Sequence, residues 1–281
     1  PLKTIMQKLQ LLSKMMIAVL VLVFNINTAI SQINLVTNPS FESLFSCPSG
    51  SGQIDSAIGW GTPINGGGNP ELFNVCCIVP SICGVPSQTS YSTFQYSHSG
   101  SSYSGIDVAC SVFFDNFREY IQCKLVKGLS SGHIYCVKFY ASLSDQSMAY
   151  IKSLGAYFDD GSIQAIAPHG LAAVTPQIYN TAQALNDTVN WMKIEGSFVA
   201  TGNDEYITIG NFFSDSSSEI GFFGTPTSWA SYYYIDDVSV IDAGLPAFAG
   251  NDTIILPGDS VFIGRQPEVG FNENCIWFVN G

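Results

Sequence analysis

Apolar and polar residues take turns along this chain over short runs, and that alternation limits its fold more than any motif does. The clearest runs are Glu119 to Leu125, Ile134 to Ala141, Leu154 to Phe158, Trp191 to Val199, Tyr206 to Phe212 and Tyr232 to Ile241. Gly, Pro, Asn, Asp and Ser separate them, and Asp159-Asp160-Gly161 gives a hairpin-type turn after one of them. Few segments carry a helical period. Many short strands punctuated by turn signals predict an all-β chain, a jelly-roll β-sandwich. Between Ser43 and Tyr96 the pattern is loop-like, with Gly66-Gly67-Gly68, Pro70, Pro80 and Pro86.

Successive strand residues face opposite sides of a sheet, so parity assigns faces. In Ile134 to Ala141 it turns Tyr135, Val137, Phe139 and Ala141 inward and leaves Cys136, Lys138 and Tyr140 outside. In Glu119 to Leu125 it turns Ile121, Cys123 and Leu125 inward and leaves Tyr120, Gln122 and Lys124 outside. Cys123 and Cys136 then point to opposite faces, which argues against a bridge between them. In the last run, Asp236 shares a face with Val238 and Val240, while Asp237 lies with Ile235 and Ser239.

Residues 1–31 have the form of a secretory signal. Lys3, Lys8 and Lys14 supply positive charge, Met15 to Phe24 is apolar, and Ala29-Ile30-Ser31 offers small residues for cleavage. The apolar run is shorter than the ~20 residues a membrane span needs, so the mature chain is expected to hold no span. The alternative is an uncleaved N-terminal anchor. Removing that segment takes three lysines and no acids from a chain of 10 basic and 22 acidic residues, leaving a net charge of −15. Such a balance offers no basic footprint for nucleic acid or for an anionic membrane.

An exported chain with eight cysteines is expected to form disulfides. Cys47, Cys76, Cys77 and Cys83 lie in the loop-like stretch, and a bridge from Cys47 to Cys76 or Cys77 is the preferred reading. Zinc ligation by Cys76, Cys77 and Cys83 has no nearby histidine to support it.

Two segments bracket the middle of the chain: NLVTNPSFE, Asn34 to Glu42, and YYYIDDVSV, Tyr232 to Val240. They resemble the first and last strands of galactose-binding-like jelly rolls, the fold of many carbohydrate-binding modules. The interior runs IGWGTP, NPELFNVC, FQYSHSGSSYSGI, FREYIQCKL and YITIGNF resemble the N-terminal module of gliding-motility-associated surface proteins. The tail AGNDTIILPGDSV is similar to the start of their PKD-like or immunoglobulin-like repeats. The resemblance implies a signal peptide at 1–31, a jelly-roll module at 32–243, and at 244–281 a linker with the start of a truncated second β domain. It also implies a large surface protein delivered by type IX secretion. In such modules a structural calcium commonly ties the first strand to the last, and the matching acids are Glu42 and Asp236. A carboxylate on the core side needs a partner, and a hard cation is one. The alternative is that Asp236 accepts backbone hydrogen bonds and Glu42 is solvated.

Catalysis has no signature here. Gly100 to Gly105 (GSSYSG) falls short of a nucleophile elbow, and no phosphate loop, dinucleotide fingerprint or zinc helix is present. His98, His133 and His169 are far apart in sequence and read as surface or turn residues. With 22 acids, a carboxylate pair of the glycosidase kind carries no specificity. The parity-assigned outer positions collect Tyr120, Gln122, Tyr140, Tyr206 and Tyr233, a set able to stack on sugar rings and hydrogen-bond their edges. The competing reading is that Tyr is simply a good strand residue on a half-exposed face. Trp60, Trp191 and Trp229 are expected in the core or packed under loops. The functional expectation is therefore a non-catalytic adhesion or carbohydrate-binding module at the cell surface or beyond, with extracellular polysaccharide or surface glycan as its partner. A structural spacer, or the accessory domain of a secreted hydrolase, is the alternative.

Overall fold

The computed structural model describes residues 33–63, 68–78, 82–86, 94–111, 115–163, 169–226 and 229–244. The expected leader and the second β domain lie outside the described residues. Among the described residues, twelve strands follow in chain order: β1 (Trp60–Gly61), β2 (Glu71–Asn74), β3 (Ser102–Cys110), β4 (Ile121–Lys124), β5 (Ile134–Leu143) and β6 (Ala149–Tyr150), then β7 (Leu154–Asp159), β8 (Ile178–Tyr179), β9 (Met192–Val199), β10 (Tyr206–Asn211), β11 (Gly221–Phe222) and β12 (Ala230–Gly244). They form one five-stranded sheet in the order β1-β4-β10-β7-β8, a second in the order β2-β3-β12-β5-β9, and a two-stranded ribbon β11-β6. Every pairing is antiparallel. The fold is an all-β sandwich of the jelly-roll class, as the alternating runs predict. Among the described residues, no helix is long and apolar enough to cross a membrane.

Where parity meets an unbroken strand it gives the right faces. Tyr135, Val137, Phe139 and Ala141 of β5 join Ile121 and Cys123 of β4 in one buried core, while Cys136 is exposed. The first and last strand-forming segments meet as their resemblance implies. Leu35 N donates to Val240 O at 2.8 Å and Asn34 Nδ2 donates to Val238 O at 2.9 Å. Val36 pairs with Leu125 on the other side, so this segment stitches the two sheets together.

Parity fails in β12, and one irregularity explains two errors. The β12–β5 register jumps between Asp236 and Ser239, so Asp237 and Val238 stand where β5 has one residue. Asp237 takes φ +50°, the left-handed region that suits a bulge. Inserting a residue inverts the faces upstream. Tyr233 and Ile235 point into the core with Val238 and Val240, whereas Tyr232, Tyr234 and Asp236 face the other way. Tyr233, expected outside, is fully buried; its hydroxyl donates to Leu185 O at 2.6 Å and accepts from Ile151 N at 3.0 Å. Burial pushes its phenol well above the ordinary range.

Tyr120 and Gln122 do leave the core side of β4, yet neither reaches solvent. Tyr120 packs with Ile163, Ala172 and Phe212, which cover that face. Its hydroxyl donates to Asn211 O at 2.9 Å and accepts from Ala172 N at 3.0 Å. Gln122 is buried and donates to Thr208 Oγ1 at 3.0 Å.

The loop-like stretch is cross-linked by Cys47–Cys76 and Cys77–Cys83. Asn74 N donates to Cys83 O, and Val85 then lies over Phe73, Tyr103 and Tyr234 on the outer face of the second sheet. Trp60 is in the core against Phe41 (ring centroids 4.6 Å apart), and Trp229 is half-buried against it.

Candidate functional site

The five tyrosine and glutamine positions expected to form one platform do not meet on one surface. Gln122 and Tyr206 belong to the first sheet, with Tyr120 just ahead of β4, and Tyr140 and Tyr233 belong to the second. Of these, Tyr140 and Tyr206 are half-buried at the surface. Tyr206 has the Lys124 ammonium 5.3 Å from its ring centre.

A different aromatic surface forms around Tyr140. Residues 94–101 cross the outer face of the second sheet, and their sequence explains how. Phe94, Tyr96 and His98 alternate with Gln95 and Ser97; Phe94 takes φ +33°, and the three rings stay exposed while Gln95 between them is buried. Gln95 is buried, donating to Ser142 Oγ at 2.7 Å and accepting Tyr103 Oη on its backbone oxygen at 2.8 Å. Phe94 and Tyr96 are 55% and 58% exposed, with ring centroids 5.3 Å apart, edge to face. Trp191, just before β9, donates from Nε1 to Tyr96 O at 3.1 Å. His98 stacks on Tyr140 at 3.8 Å and meets Trp191 edge-on at 5.9 Å. Lys138 and Lys193 flank Tyr140 from β5 and β9: the Lys138 ammonium is 5.9 Å from its ring centre, and Lys193 stands opposite it in register.

Carboxylates fix this loop in place. Asp236 Oδ2 accepts the amides of His98 (2.8 Å) and Ser99 (3.2 Å), and its Oδ1 accepts Asp237 N at 2.7 Å. Asp237 Oδ1 accepts Ser99 Oγ at 2.7 Å, while its Oδ2 faces His98 Nδ1 at 2.5 Å. Glu42 Oε1 accepts the amides of Ser101 (2.7 Å) and Ser102 (2.9 Å). Gly100 makes this last contact feasible, since a Cβ there would stand 2.3 Å from Glu42 Oε1 and its φ is +64°. Burial, then the neighbouring Asp237, raises the Asp236 carboxyl to about 8 against the pull of its amide donors.

These contacts test the expected calcium. A calcium ion wants six to eight oxygen ligands. Here Glu42 Oε1 and both Asp236 oxygens already face five backbone N–H groups, whose positive ends would repel a cation at those atoms. Asp236 also lies on the outer side of its sheet, not on the core side where parity put it. The residues therefore do not fit calcium. Among the described residues, no group of three or more His, Cys, Asp or Glu is arranged to hold a metal ion.

Further along the same face, Glu71 of β2, Asp107 of β3 and Glu119 form an acidic cluster. Tyr232 reaches across Gly105 to donate to Glu71 Oε2 at 2.7 Å; a Cβ on Gly105 would lie 2.0 Å from that hydroxyl. Glu119 is buried and accepts Asn69 N (3.1 Å) and Asp107 N (3.0 Å), with His169 Nδ1 at 3.4 Å. Burial first, and Glu119 second, raise Asp107 to about 8 and push Glu71 up as well.

The sequence reading missed Phe94, Tyr96, His98 and Trp191 as a group. The signal was available in the alternation of rings across Phe94, Tyr96 and His98, inside a stretch otherwise dominated by loop residues.

No family model matches the chain, and no curated protein matches it. Solved structures do. The chain is similar to the CBM22-1 xylan-binding domain of Xyn10C from Paenibacillus barcinonensis, at 12% identity over 76% of this chain and 97% of that one, with a TM-score of 0.39. It is similar to the K2 cleaved adhesin domain of Lys-gingipain, at 14% identity over 75% and 97%, TM-score 0.34. It is also similar to TmCBM61 in complex with β-1,4-galactotriose, at 12% identity over 75% and 99%, TM-score 0.30.

Proposed function

We propose that this chain is an exported, non-catalytic glycan-binding module whose site is the aromatic face of Phe94, Tyr96, Trp191, His98 and Tyr140. The observation that supports it is the exposure of Phe94 and Tyr96 on a loop otherwise tightly hydrogen-bonded. Apolar rings held open to water by a rigid scaffold suit the apolar faces of sugar rings, and the lysines and serines around them suit sugar hydroxyls. The solved structures to which the chain is similar include modules described as binding xylan or β-1,4-galactotriose. Adhesion at the cell surface follows from the same reading together with the secretory form of residues 1–31.

The face is shallow, so affinity is weak to moderate and stacking dominates it. Losing one stacked ring costs about 1.4 kcal/mol, or tenfold in affinity. Binding of the full chain to a glycan array and to insoluble polysaccharides is the direct assay. Tyr96→Ala and Trp191→Ala should each weaken binding about tenfold, while Lys124→Ala, on the other sheet, should leave it unchanged. Equal binding by Tyr96→Ala, Trp191→Ala and the wild type would show that the site lies elsewhere.

A further inference from the structure

Lys138 has no counter-ion among the described residues. Arg118, Lys124, Lys152 and Lys193 each pair with a carboxylate, at 2.8, 3.2, 3.3 and 2.7 Å. Lys127 and Lys138 do not, and Lys138 belongs to the aromatic face. Its place follows from the pleat of β5, whose outer row runs Cys136, Lys138, Tyr140. The residue is half-buried, and its Nζ lies 5.9 Å from the centre of the Tyr140 ring. The acids of the neighbouring strands are engaged elsewhere. Glu195 stands opposite Lys138 in the β5–β9 register but is bound to Lys193. Asp237, in the bulge of β12, turns its two oxygens to Ser99 Oγ and His98 Nδ1. Contacts link Tyr140 to His98, His98 to Trp191, and Trp191 to Tyr96. One uncompensated positive charge thus sits beside a set of linked rings, in a chain whose net charge is −12.

We infer that Lys138 makes this face selective for a sparsely acidic glycan. Such a ligand is a mainly neutral sugar chain with an occasional carboxylate or sulfate, which the Lys138 ammonium takes while the rings hold the neutral sugars. This inference rests on the glycan reading of the face. Two electrostatic effects set the selectivity, and they oppose each other. A partly exposed ammonium–anion pair is worth about fivefold in affinity. The field of a chain with net charge −12 repels every further negative charge, and Glu195 and Asp237 on the neighbouring strands add to it locally. A ligand with one anion at the site gains the pair and meets little repulsion. A run of consecutive uronates gains the same single pair and brings several charges that nothing on the face offsets. Affinity therefore ranks sparsely acidic chains above neutral ones, and neutral chains above polyuronates. Salt weakens the pair and relieves the repulsion, so raising it shrinks the first preference and improves polyuronate binding.

The test measures affinity of the full chain for neutral xylo-, gluco- and galacto-oligosaccharides, for the same chains bearing one uronate or one sulfate, and for oligomers of consecutive uronates. Each is measured at about 0.02 M and about 0.5 M salt. The ratio of singly charged to neutral affinity should be about fivefold at low salt and near one at high salt. Lys138→Gln should bring the low-salt ratio to about one, Lys138→Arg should keep it, and Glu195→Gln should raise it; melting curves check that each variant is folded. A preference shown for the uronate or for the sulfate alone supports the inference and names the anion. A wild-type ratio near one for both anions, or a ratio that survives in folded Lys138→Gln, would overturn it, as would a polyuronate bound more tightly than the neutral chain at low salt. If Tyr96→Ala weakens binding while the ratio stays at one throughout, the aromatic site stands and the role of Lys138 falls. If the wild type binds none of the probes, both fall.

Discussion

Asp107→Asn should make this protein more stable, and by an amount that grows with pH. Asp107 lies on β3, half-buried beside Glu119, and its side chain has no hydrogen-bond partner among the described residues. Burial and the Glu119 charge raise its carboxyl from 3.8 to about 8, so at pH 7 the folded chain holds a proton that the unfolded chain has released. The sign follows from that difference. A folded-state pKa above the unfolded value favours folding most below the unfolded pKa, and the advantage is lost as pH rises towards the folded pKa. Each pH unit of proton uptake is worth about 1.4 kcal/mol, which over the interval from 3.8 to 7 gives a ceiling of about 4 kcal/mol. Solvent reaches part of the side chain, and screening reduces the expected cost to about 1–2 kcal/mol. Asn has the same shape and no charge, so the variant escapes this cost. Urea denaturation at pH 4 and pH 8 reads the effect: the two proteins should nearly coincide at pH 4, close to the unfolded pKa, and separate by about 1–2 kcal/mol at pH 8, with Asn the more stable. A variant less stable than the wild type at pH 8, or a gap that does not change with pH, would refute the reasoning.

Chelation is expected to leave the melting temperature unchanged at matched ionic strength, because Glu42 Oε1 and both Asp236 oxygens are taken up by backbone amides; a calcium-dependent rise would restore the cation those residues were expected to hold. Tyr120→Phe should cost about 1–3 kcal/mol in denaturant titration, since it strands the buried Asn211 carbonyl and Ala172 amide. It should leave glycan binding intact, whereas a Tyr120 that faced a ligand would show the reverse.

Much of this architecture is legible in the sequence because it is local. Alternation in β4 and β5 names their inward residues, since a strand with an unbroken pleat has only two faces and the apolar one is buried. The opposite orientation of Cys123 and Cys136 follows from the same rule, as does Cys136 reaching solvent. Four cysteines crowded into a loop-like stretch point to bridges there, and the fold resolves the open choice as Cys47 with Cys76 and Cys77 with Cys83.

What the sequence could not supply is non-local. Parity counts residues within a strand, but the bulge at Asp237 is set by pairing with β5, and it reverses the faces of Tyr233 and Asp236. Parity also names a side without saying what covers it. Ile163 and Ala172 bury Tyr120, although nothing near residue 120 in the sequence announces them. The candidate site has the same origin. Phe94, Tyr96 and His98 stay exposed because Asp236 and Asp237, about 140 positions later in the chain, and Glu42, about 60 earlier, take up the loop's backbone and polar side chains. Composition and alternation determined that the chain would be an acidic β-sandwich. Only the closing of the first and last strands on each other determined which of its rings face water.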